Sequence, residues 1–331
     1  MVVLSTLLKK GLDDISYTEE ELTTLFSIEV GSKEYFTLLQ YSSQKSQEAS
    51  SQHSEVHAQI GLDVGPCSMQ CGFCSFAEKN NIFTEPNVLS KKEVISKTKH
   101  FQDAGADAIY LMATAHYPFE DYLEIAQDVK KVLKKEIPLI ANIRDISLNE
   151  AVALRDTGFL GAYHAVRLGE GTDTKIDIKK RLRTFQHLKA AGLFLGTCLE
   201  PAGPEHTAEE LAEKTLIMKE AQPVYGGAAR RISIPNGSLE KHGMISEAEL
   251  AKLVSVSRLA LPKSVVGTCT HEPNLISCLS GANLLWAEQG TNPRDNNKKT
   301  EENRGLDVEY CKTMLHDAHW KKQEKNSYFF L

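Results

Sequence analysis

Eight short apolar segments alternate with amphipathic segments from residue 56 onward, and this rhythm limits the folds open to the chain. The apolar segments are VHAQIGL, DAIYLMA, IPLIANI, AYHAVRL, LFLGTCL, ARRISI, SVVGTC and NLLWAE. Helices between successive strands favour a parallel sheet, and eight such units predict an α/β fold, a (β/α)8 TIM-type barrel. A doubly wound open sheet is the alternative, because closure of a sheet is not visible in sequence.

Local signals support helices between these predicted strands. A Ser or Thr three residues before a Glu is a capping box, which satisfies free N–H groups at a helix start. Four such pairs occur, at Ser90 and Glu93, Ser147 and Glu150, Thr207 and Glu210, and Ser246 and Glu249. A glycine just before an apolar segment marks a helix end, as at Gly105, Gly158, Gly192 and Gly281.

Residues 1–54 predict a helical N-terminal extension and a linker. YTEEELTTLFSI begins with a capping box from Thr18 to Glu21, and SSQKSQEASSQHS is typical of a loose linker. Residues 55–331 form the predicted barrel domain, which ends with a helix in GLDVEYCKTMLHDA.

The composition excludes several classes of function. The 331 residues carry a net charge of −6 without a long basic run, which argues against nucleic acid or an anionic membrane surface as the main partner. No stretch reaches the ~18 uninterrupted apolar residues of a spanning helix, and the first residues do not resemble a signal peptide. An odd number of cysteines, 7 in all, favours reduced thiols in the cytoplasm that serve a metal or catalysis.

Three of the cysteines are clustered in GPCSMQCGFCSF, directly after the first predicted strand. Cys67, Cys71 and Cys74 would thus lie in a loop at the C-terminal face of the barrel, where active sites of this fold are found. A cubane iron–sulfur cluster normally takes four cysteines, and three leave one metal position open for chemistry. The alternatives are a structural zinc site with a fourth ligand from elsewhere, and a chance group of buried thiols.

The spacing CxxxCxΦC, with the aromatic Phe73 before the third cysteine, resembles the signature of the radical S-adenosylmethionine (SAM) superfamily. The resemblance covers residues 55 to 320 or so and is strongest to the branch of biotin synthase, [FeFe]-hydrogenase maturase and methylornithine synthase. It implies a [4Fe–4S] cluster on Cys67, Cys71 and Cys74, with SAM on the open iron. It also implies a 5′-deoxyadenosyl radical that abstracts hydrogen from a small substrate, and a low-potential electron donor such as ferredoxin or flavodoxin.

The same resemblance assigns further residues to SAM. It places the backbone near Thr114, after the second strand, beside the methionine amino group, and it pairs Arg167 with the methionine carboxylate. Glu170 would contact the methionine or ribose end, and Glu200 lies on the fifth strand near the expected adenine site. The alternatives are a plain strand end of small residues at Thr114 and a surface ion pair of Arg167 with Glu170.

Three lumen-facing candidates lie on the fifth and seventh strands. Cys269 and His271 share one face by the two-residue period of a strand, and Cys198 would point inward from the fifth strand. By resemblance, Cys198 and Cys269 lie near positions of auxiliary-cluster ligands in biotin synthase. They could hold an auxiliary iron–sulfur cluster or contact substrate, although a small buried thiol is the common fate of cysteine. Arg231, on the sixth strand, is a candidate for binding a substrate carboxylate or phosphate.

Three functions therefore remain open. The first is a radical SAM lyase or isomerase in cofactor biosynthesis without sulfur transfer, which the lack of further auxiliary cysteines on strands two and three favours. The second is a sulfur-inserting synthase of the biotin or lipoyl type that uses Cys198 and Cys269. The third is a non-catalytic binding protein stabilised by a metal. Asn292 and Arg294, beyond the eighth strand, are candidate lid or substrate contacts.

Overall fold

The computed structural model describes residues 4–288, 306–322, 327 and 329–330. Asn292 and Arg294 lie outside the described residues. The strands are β1 (His53–Gly61), β2 (Asp63–Val64), β3 (Asn87–Val88), β4 (Ala108–Met112), β5 (Leu139–Asn142), β6 (Gly161–Tyr163), β7 (Phe194–Gly196), β8 (Leu199–Ala202), β9 (Tyr225–Arg230), β10 (Gly267–Thr270), β11 (Leu284–Ala287) and β12 (Lys321–Lys322).

The sheet closes on itself as a parallel barrel. Around the barrel, β1 pairs with β4, and the pairing continues through β5, β6, β7, β9, β10 and β11. The last strand, β11, returns to β1 with Glu55 opposite Leu284. The fifth barrel strand is interrupted at Thr197 and Cys198, and its second part, β8, also pairs with β9. The predicted (β/α)8 barrel is therefore confirmed, and the open sheet is excluded.

The sixth barrel strand begins earlier than its sequence suggested. ARRISI predicts a strand over 229–234, whereas β9 spans Tyr225–Arg230 and the backbone leaves the sheet at Arg231. Glycine is depleted in strands, so Gly226 and Gly227 gave no strand signal. A side chain at Gly227 would collide with the Cys269 backbone, so close contact between β9 and β10 requires glycine there.

Helices cover the outside of the barrel and precede it. They are α1 (Leu4–Leu12), α2 (Glu19–Phe26), α3 (Lys33–Ser50), α4 (Lys91–Asp103), α5 (Phe119–Val132), α6 (Leu148–Thr157), α7 (Ile178–Ala190), α8 (Ala208–Glu220), α9 (Glu247–Ala260), α10 (Leu275–Leu279) and α11 (Val308–Asp317). No helix among the described residues is long and apolar enough to cross a bilayer.

Most of the predicted helix caps are present. Thr18, Ser90, Ser147 and Ser246 each form a complete capping box. Thr207 caps α8 with its hydroxyl alone, because the Glu210 carboxylate is engaged elsewhere. The Glu210 carboxylate accepts a hydrogen bond from the Gly169 backbone N–H at 2.8 Å and lies 2.9 Å from the His206 ring.

The serine-rich segment expected to be a linker is helical up to Ser50. Ser42, Ser46 and Ser50 recur every four residues along α3 and are buried. Small side chains at this spacing let α3 approach the barrel closely, and the Ser46 hydroxyl donates to the Gly281 carbonyl at 2.6 Å. Polar residues at a helical period thus form a packing face, which a composition-based linker prediction misses.

The N-terminal end of the barrel is closed by residues from the end of the chain. Phe329 and Phe330 are buried there, and the Phe330 ring stacks on His57 with centroids 5.7 Å apart. The Glu55 carboxylate accepts a hydrogen bond from the Ser327 hydroxyl at 2.6 Å and lies 2.8 Å from the His57 ring. Access to the lumen is therefore left to the opposite, C-terminal end.

Candidate active site

A cavity of about 250 Å³ opens at the C-terminal ends of the barrel strands. Its lining includes most of the residues that the sequence singled out: Cys67, Cys71, Phe73, Cys74, Thr114, Arg167, Glu200, Arg231 and His271. Within the part of the chain that the structure describes, the cavity lining does not include Glu170, Cys198 or Cys269. Strand ends that are far apart in sequence thus bring these side chains to one place.

The cysteine loop is held in shape by its own hydrogen bonds. The Cys67 backbone N–H donates to the Phe76 carbonyl at 2.7 Å, and Cys67 accepts in turn from the Glu78 N–H at 3.1 Å. The Asn80 side chain donates to the carbonyls of Gly72 and Cys74 at 3.2 and 2.8 Å. All three thiols are half-buried and line the cavity. Asn80 was not predicted, since an asparagine in a loop carries no distinguishing sequence signal.

The donor set of the loop fits an iron–sulfur cluster better than a zinc ion. Thiolates on one tetrahedral zinc lie about 3.8 Å apart, given a Zn–S distance of about 2.3 Å. Among the described residues, the group whose ligand atoms all lie within 4.8 Å of one another is Cys198, Cys269 and His271, and the loop cysteines form no such group. A cubane distributes its thiolates over separate irons, so wider spacing of three thiols suits it.

Arg167 lies between the cysteine loop and the fifth barrel strand. Its guanidinium is 3.5 Å from the Glu200 carboxylate and 5.8 Å from the centre of the Phe73 ring. Burial disfavours the charge, but Glu200 and other neighbours outweigh it and raise the pKa of Arg167. A fixed cation therefore faces the cavity beside the three thiols.

Thr114 is fixed by a carboxylate that the sequence did not single out. Its backbone N–H donates to Asp63 at 2.8 Å, and its hydroxyl donates to the other oxygen of the same carboxylate. Burial raises the pKa of Asp63 against the effect of these hydrogen bonds. Asp63 stands in β2, just beyond the first barrel strand, and a single acid at a strand end is too common to have been selected.

Glu170 is turned away from the cavity. Its buried carboxylate accepts hydrogen bonds from Arg181 Nε at 3.1 Å, from the Thr174 hydroxyl at 2.7 Å and from the Arg167 backbone N–H at 3.1 Å. Gly169 and Gly171 adopt φ of 69° and 90°, so the backbone doubles back and directs the acid into the loop. These contacts hold the loop that carries Arg167, and a contact between Glu170 and SAM stays a prediction.

Arg181 links this loop to a second buried acid at the cavity wall. Its guanidinium lies 3.1 Å from Asp145, which is also 3.0 Å from the His164 ring. Burial raises the pKa of Asp145, but His164 and Arg181 outweigh it and hold that pKa well below its usual range. Arg181 and Asp145 both line the cavity, and neither was predicted, because α7 places Arg181 there only after folding.

Cys198, Cys269 and His271 meet in the lumen beneath the cavity. The two sulfur atoms are 2.7 Å apart, and Cys198 Sγ is 3.6 Å from His271 Nε2. The imidazole stacks on Trp286 with ring centroids 4.3 Å apart. Burial raises the pKa of the Cys198 thiol well above its ordinary value.

Arg231 lies at the rim of the cavity, and its guanidinium is held by the protein. Its two terminal nitrogens donate hydrogen bonds to the two carboxylate oxygens of Glu205, and the bond from Nη2 measures 3.0 Å. Nη2 also donates to the Gly243 carbonyl at 3.0 Å. Binding of a substrate anion by Arg231 would therefore compete with Glu205. The neighbouring Arg230 is buried and donates to the Ile245 carbonyl at 3.3 Å.

A chain of polar side chains crosses the remaining wall. The Asn142 amide donates to Gln59 at 2.7 Å, and the Gln59 amide donates to Glu288 at 2.8 Å. All three line the cavity. The sequence pattern that could have identified Gln59 lies in VHAQIGL. There His57 and Gln59 alternate with apolar residues, which places both on the face of the strand toward the lumen.

The chain is similar to curated proteins in sequence and to solved structures in fold. The chain is 23% identical over 248 residues to the biotin synthase of Xanthomonas axonopodis pv. citri (strain 306), covering 70% of this chain and 71% of that protein. The crystal structure of methylornithine synthase matches with a TM-score of 0.79 at 18% identity, over 96% of this chain and 97% of that one.

The [FeFe]-hydrogenase maturase HydG from Carboxydothermus hydrogenoformans matches with a TM-score of 0.77 at 16% identity, over 97% of this chain and 79% of that one. No protein-family model matches the chain. At these identities the solved structures show the fold alone, and the biotin synthases add similarity in sequence. The chain is thus similar in sequence to biotin synthases and similar in fold to a methylornithine synthase and a hydrogenase maturase.

Proposed function

We propose that this chain is a radical SAM enzyme that abstracts hydrogen from a small substrate in cofactor biosynthesis, without inserting sulfur. The observation that carries the proposal is the position of Cys67, Cys71 and Cys74 on the same cavity as Arg167. Three thiols with one cation beside them suit a cluster that leaves one metal position for a zwitterionic amino acid group.

Each residue has a defined part in this proposal. The three loop thiolates hold the [4Fe–4S] cluster, and Arg167 binds the methionine carboxylate of SAM with its charged hydrogen-bond donors. Glu200 orients Arg167 from 3.5 Å. When bound, the cluster would supply the one-electron chemistry for reductive cleavage of SAM, the source of the radical used for hydrogen abstraction. The barrel wall positions the substrate and excludes water.

A small substrate is what the sequence resemblance implies. The cavity of about 250 Å³ is smaller than the roughly 300–1,000 Å³ of typical small-molecule pockets. The electron would come from a low-potential ferredoxin or flavodoxin, and the cytoplasm remains the expected compartment.

Sulfur insertion is the second candidate, and the closeness of Cys198 and Cys269 is the observation that favours it. A sacrificial cluster needs a full ligand set in the lumen. The lumen group among the described residues contains two thiols and one imidazole, and β4 and β5 contain no cysteine. We therefore favour a lyase or isomerase over a sulfur-inserting synthase.

Counting iron and sulfide after anaerobic reconstitution tests the proposal. We expect about four irons in the wild type, as one cubane requires, and none in a variant with Cys67, Cys71 and Cys74 all changed to Ala. With dithionite, the wild type should convert SAM to 5′-deoxyadenosine and the variant should not.

The other outcomes separate the rival functions. Iron and sulfide retained by the variant would indicate an auxiliary cluster and favour sulfur insertion. A colourless wild-type protein that leaves SAM intact would support the non-catalytic binding protein. The variant Cys278→Ser is a matched control, because Cys278 is buried in α10 away from the cavity, and it should keep both iron and SAM cleavage.

A further inference from the structure

A second group of metal-ligating side chains lies in the barrel lumen, separate from the cysteine loop. Cys198 follows β7, Cys269 lies in β10 and His271 directly follows it. Their ligand atoms all lie within 4.8 Å of one another. Both thiols are buried, and His271 reaches the cavity lining. The group therefore has a closed side in the lumen and an open side toward the cavity.

The distance from the Cys198 thiol to the His271 ring fits one tetrahedral ion of zinc size, whereas the two sulfurs lie closer together than such an ion requires. Ligand bonds of about 2.3 Å to sulfur and 2.0–2.1 Å to nitrogen imply an S···N separation of about 3.5 Å. The observed separation of Cys198 Sγ from His271 Nε2 is 3.6 Å. Two thiolates on one zinc lie about 3.8 Å apart, so the sulfurs, 2.7 Å apart here, must separate by about 1 Å on binding. The shift requires one of the two cysteine side chains to rotate about χ1.

The surroundings provide an independent indication of a missing polar ligand. The Tyr163 hydroxyl is buried and has no hydrogen-bond partner within the described part of the chain. Tyr163 packs in the same cluster as Cys198 and Cys269, and its ring lies 5.3 Å from the His271 ring. A buried hydroxyl without a partner is costly, and a water or anionic oxygen held at the open position of an ion would provide its hydrogen-bond partner.

Charge balance favours a divalent cation. Two thiolates and a neutral imidazole carry two negative charges, which one Zn²⁺ cancels, so the buried site becomes neutral overall. On binding, the two thiols release their protons to solvent while two Zn–S bonds form, and no electron is transferred. Three protein ligands with one open position are typical of a catalytic rather than a structural zinc site, and the Cys₂His set is one known example.

We propose that Cys198, Cys269 and His271 bind one Zn²⁺ in the barrel lumen, with its fourth position directed to Tyr163 and the cavity. An anionic oxygen or a thiolate of the substrate is the chemical class that this position would accept. The proposal rests on the lumen residues alone and does not depend on the radical SAM assignment.

Metal analysis of two full-length proteins tests the site. In the Cys67, Cys71 and Cys74 triple Ala variant, stripped with a chelator and incubated with Zn²⁺, we expect about one zinc per chain. Replacing Zn²⁺ by Co²⁺ should give the intense near-ultraviolet absorption of thiolate ligation. Reconstituted wild-type protein should contain zinc in addition to its iron.

Variants of the lumen group identify the ligands. Adding Cys269→Ser to the triple variant should lower zinc affinity by more than the roughly 10–100-fold that loss of a supporting second-shell residue costs. Adding Cys311→Ser, a buried cysteine of α11 outside the group, should leave zinc binding and the Co²⁺ spectrum unchanged.

Three outcomes would overturn the proposal. One is absence of zinc from both the triple variant and the reconstituted wild type. Another is zinc that stays bound, with the same Co²⁺ spectrum, after Cys269→Ser. The third is iron with sulfide, instead of zinc, in the lumen of the triple variant. Because the wild type carries no substitution, its zinc content tests the site even if the variants misfold. A protein that binds zinc but does not cleave SAM would contradict only the proposed function.

Discussion

The Arg167 guanidinium lies 3.5 Å from the Glu200 carboxylate, across the boundary between the fourth and fifth barrel strands. The pair keeps a charged arginine at the wall of a half-buried cavity, where Phe73 covers its other side. Neither residue is adjacent to the other in sequence, so the barrel creates the relationship. Its consequence is a cation held in place before any ligand arrives.

Removal of this cation should weaken SAM binding. Hydrogen bonds to charged groups contribute about 1.5–3 kcal/mol, so Arg167→Ala should lower the affinity of the reconstituted enzyme for SAM by about 10–100-fold. The SAM affinity of Arg167→Lys should lie between those of the wild type and Arg167→Ala, because lysine keeps the positive charge but lacks the planar guanidinium. Anaerobic equilibrium dialysis measures both. The exposed Arg155→Ala is the control, and wild-type affinity in Arg167→Ala would remove Arg167 from the SAM site.

Glu170 should matter for stability more than for ligand affinity. Its carboxylate holds Arg181, Thr174 and the Arg167 backbone. Glu170→Gln leaves a buried guanidinium with one charged partner fewer, and we expect a loss of about 3 kcal/mol in the free energy of unfolding. Urea denaturation measures this loss. Glu136→Gln, at an exposed position, should change little. A large drop in SAM affinity with unchanged stability would instead place Glu170 at the ligand.

Asp107 should make the protein less stable as the pH rises toward 8. Burial and Glu55 raise the pKa of Asp107 to about 7, whereas an unfolded Asp ionises near 3.9. Between about pH 4 and 7 the folded chain holds a proton that the unfolded chain has released, so the free energy of unfolding falls throughout this range and reaches its low plateau above pH 7.

Asp107→Asn tests this linkage. The amide oxygen can still accept the hydrogen bond from the Val56 N–H, now 2.8 Å long, and it cannot ionise. The variant should have a higher Tm than wild type at pH 8, and the difference should shrink toward pH 5. Asp103→Asn, at an exposed position, should show no such trend. A difference that is the same at both pH values would contradict the assignment.

The residues that close the base of the barrel should be essential for stability. Phe329 is 2% exposed and packs beneath the lumen, with its ring 6.0 Å from His57. Phe329→Ala should cost about 3–5 kcal/mol by leaving a cavity there. Thermal and urea unfolding measure the loss. As a control, the free energy of unfolding of Tyr310→Ala, at an exposed position, should stay within about 0.5 kcal/mol of wild type. An equally small effect of Phe329→Ala would show that closure of the barrel base contributes little to stability.

Local patterns predicted the barrel because each signal acts within a few residues. Apolar runs and caps such as Ser90 with Glu93 specify strands and helices wherever the rest of the chain lies. The exceptions have local causes as well. Gly226 and Gly227 concealed the start of β9, and the periodic Ser42, Ser46 and Ser50 concealed a buried helix face.

The sequence by itself also determined the cysteine loop, since Cys67, Cys71 and Cys74 lie within one short segment whose spacing sets their chemistry. Only the tertiary structure decided what surrounds them. It brought Cys198 to 2.7 Å from Cys269, 71 positions away, and turned Glu170 from the cavity toward Arg181. It also held the Arg231 guanidinium against Glu205. These relationships depend on barrel closure and on side-chain direction at strand ends, which arise from packing between distant segments and leave no periodic trace in the chain.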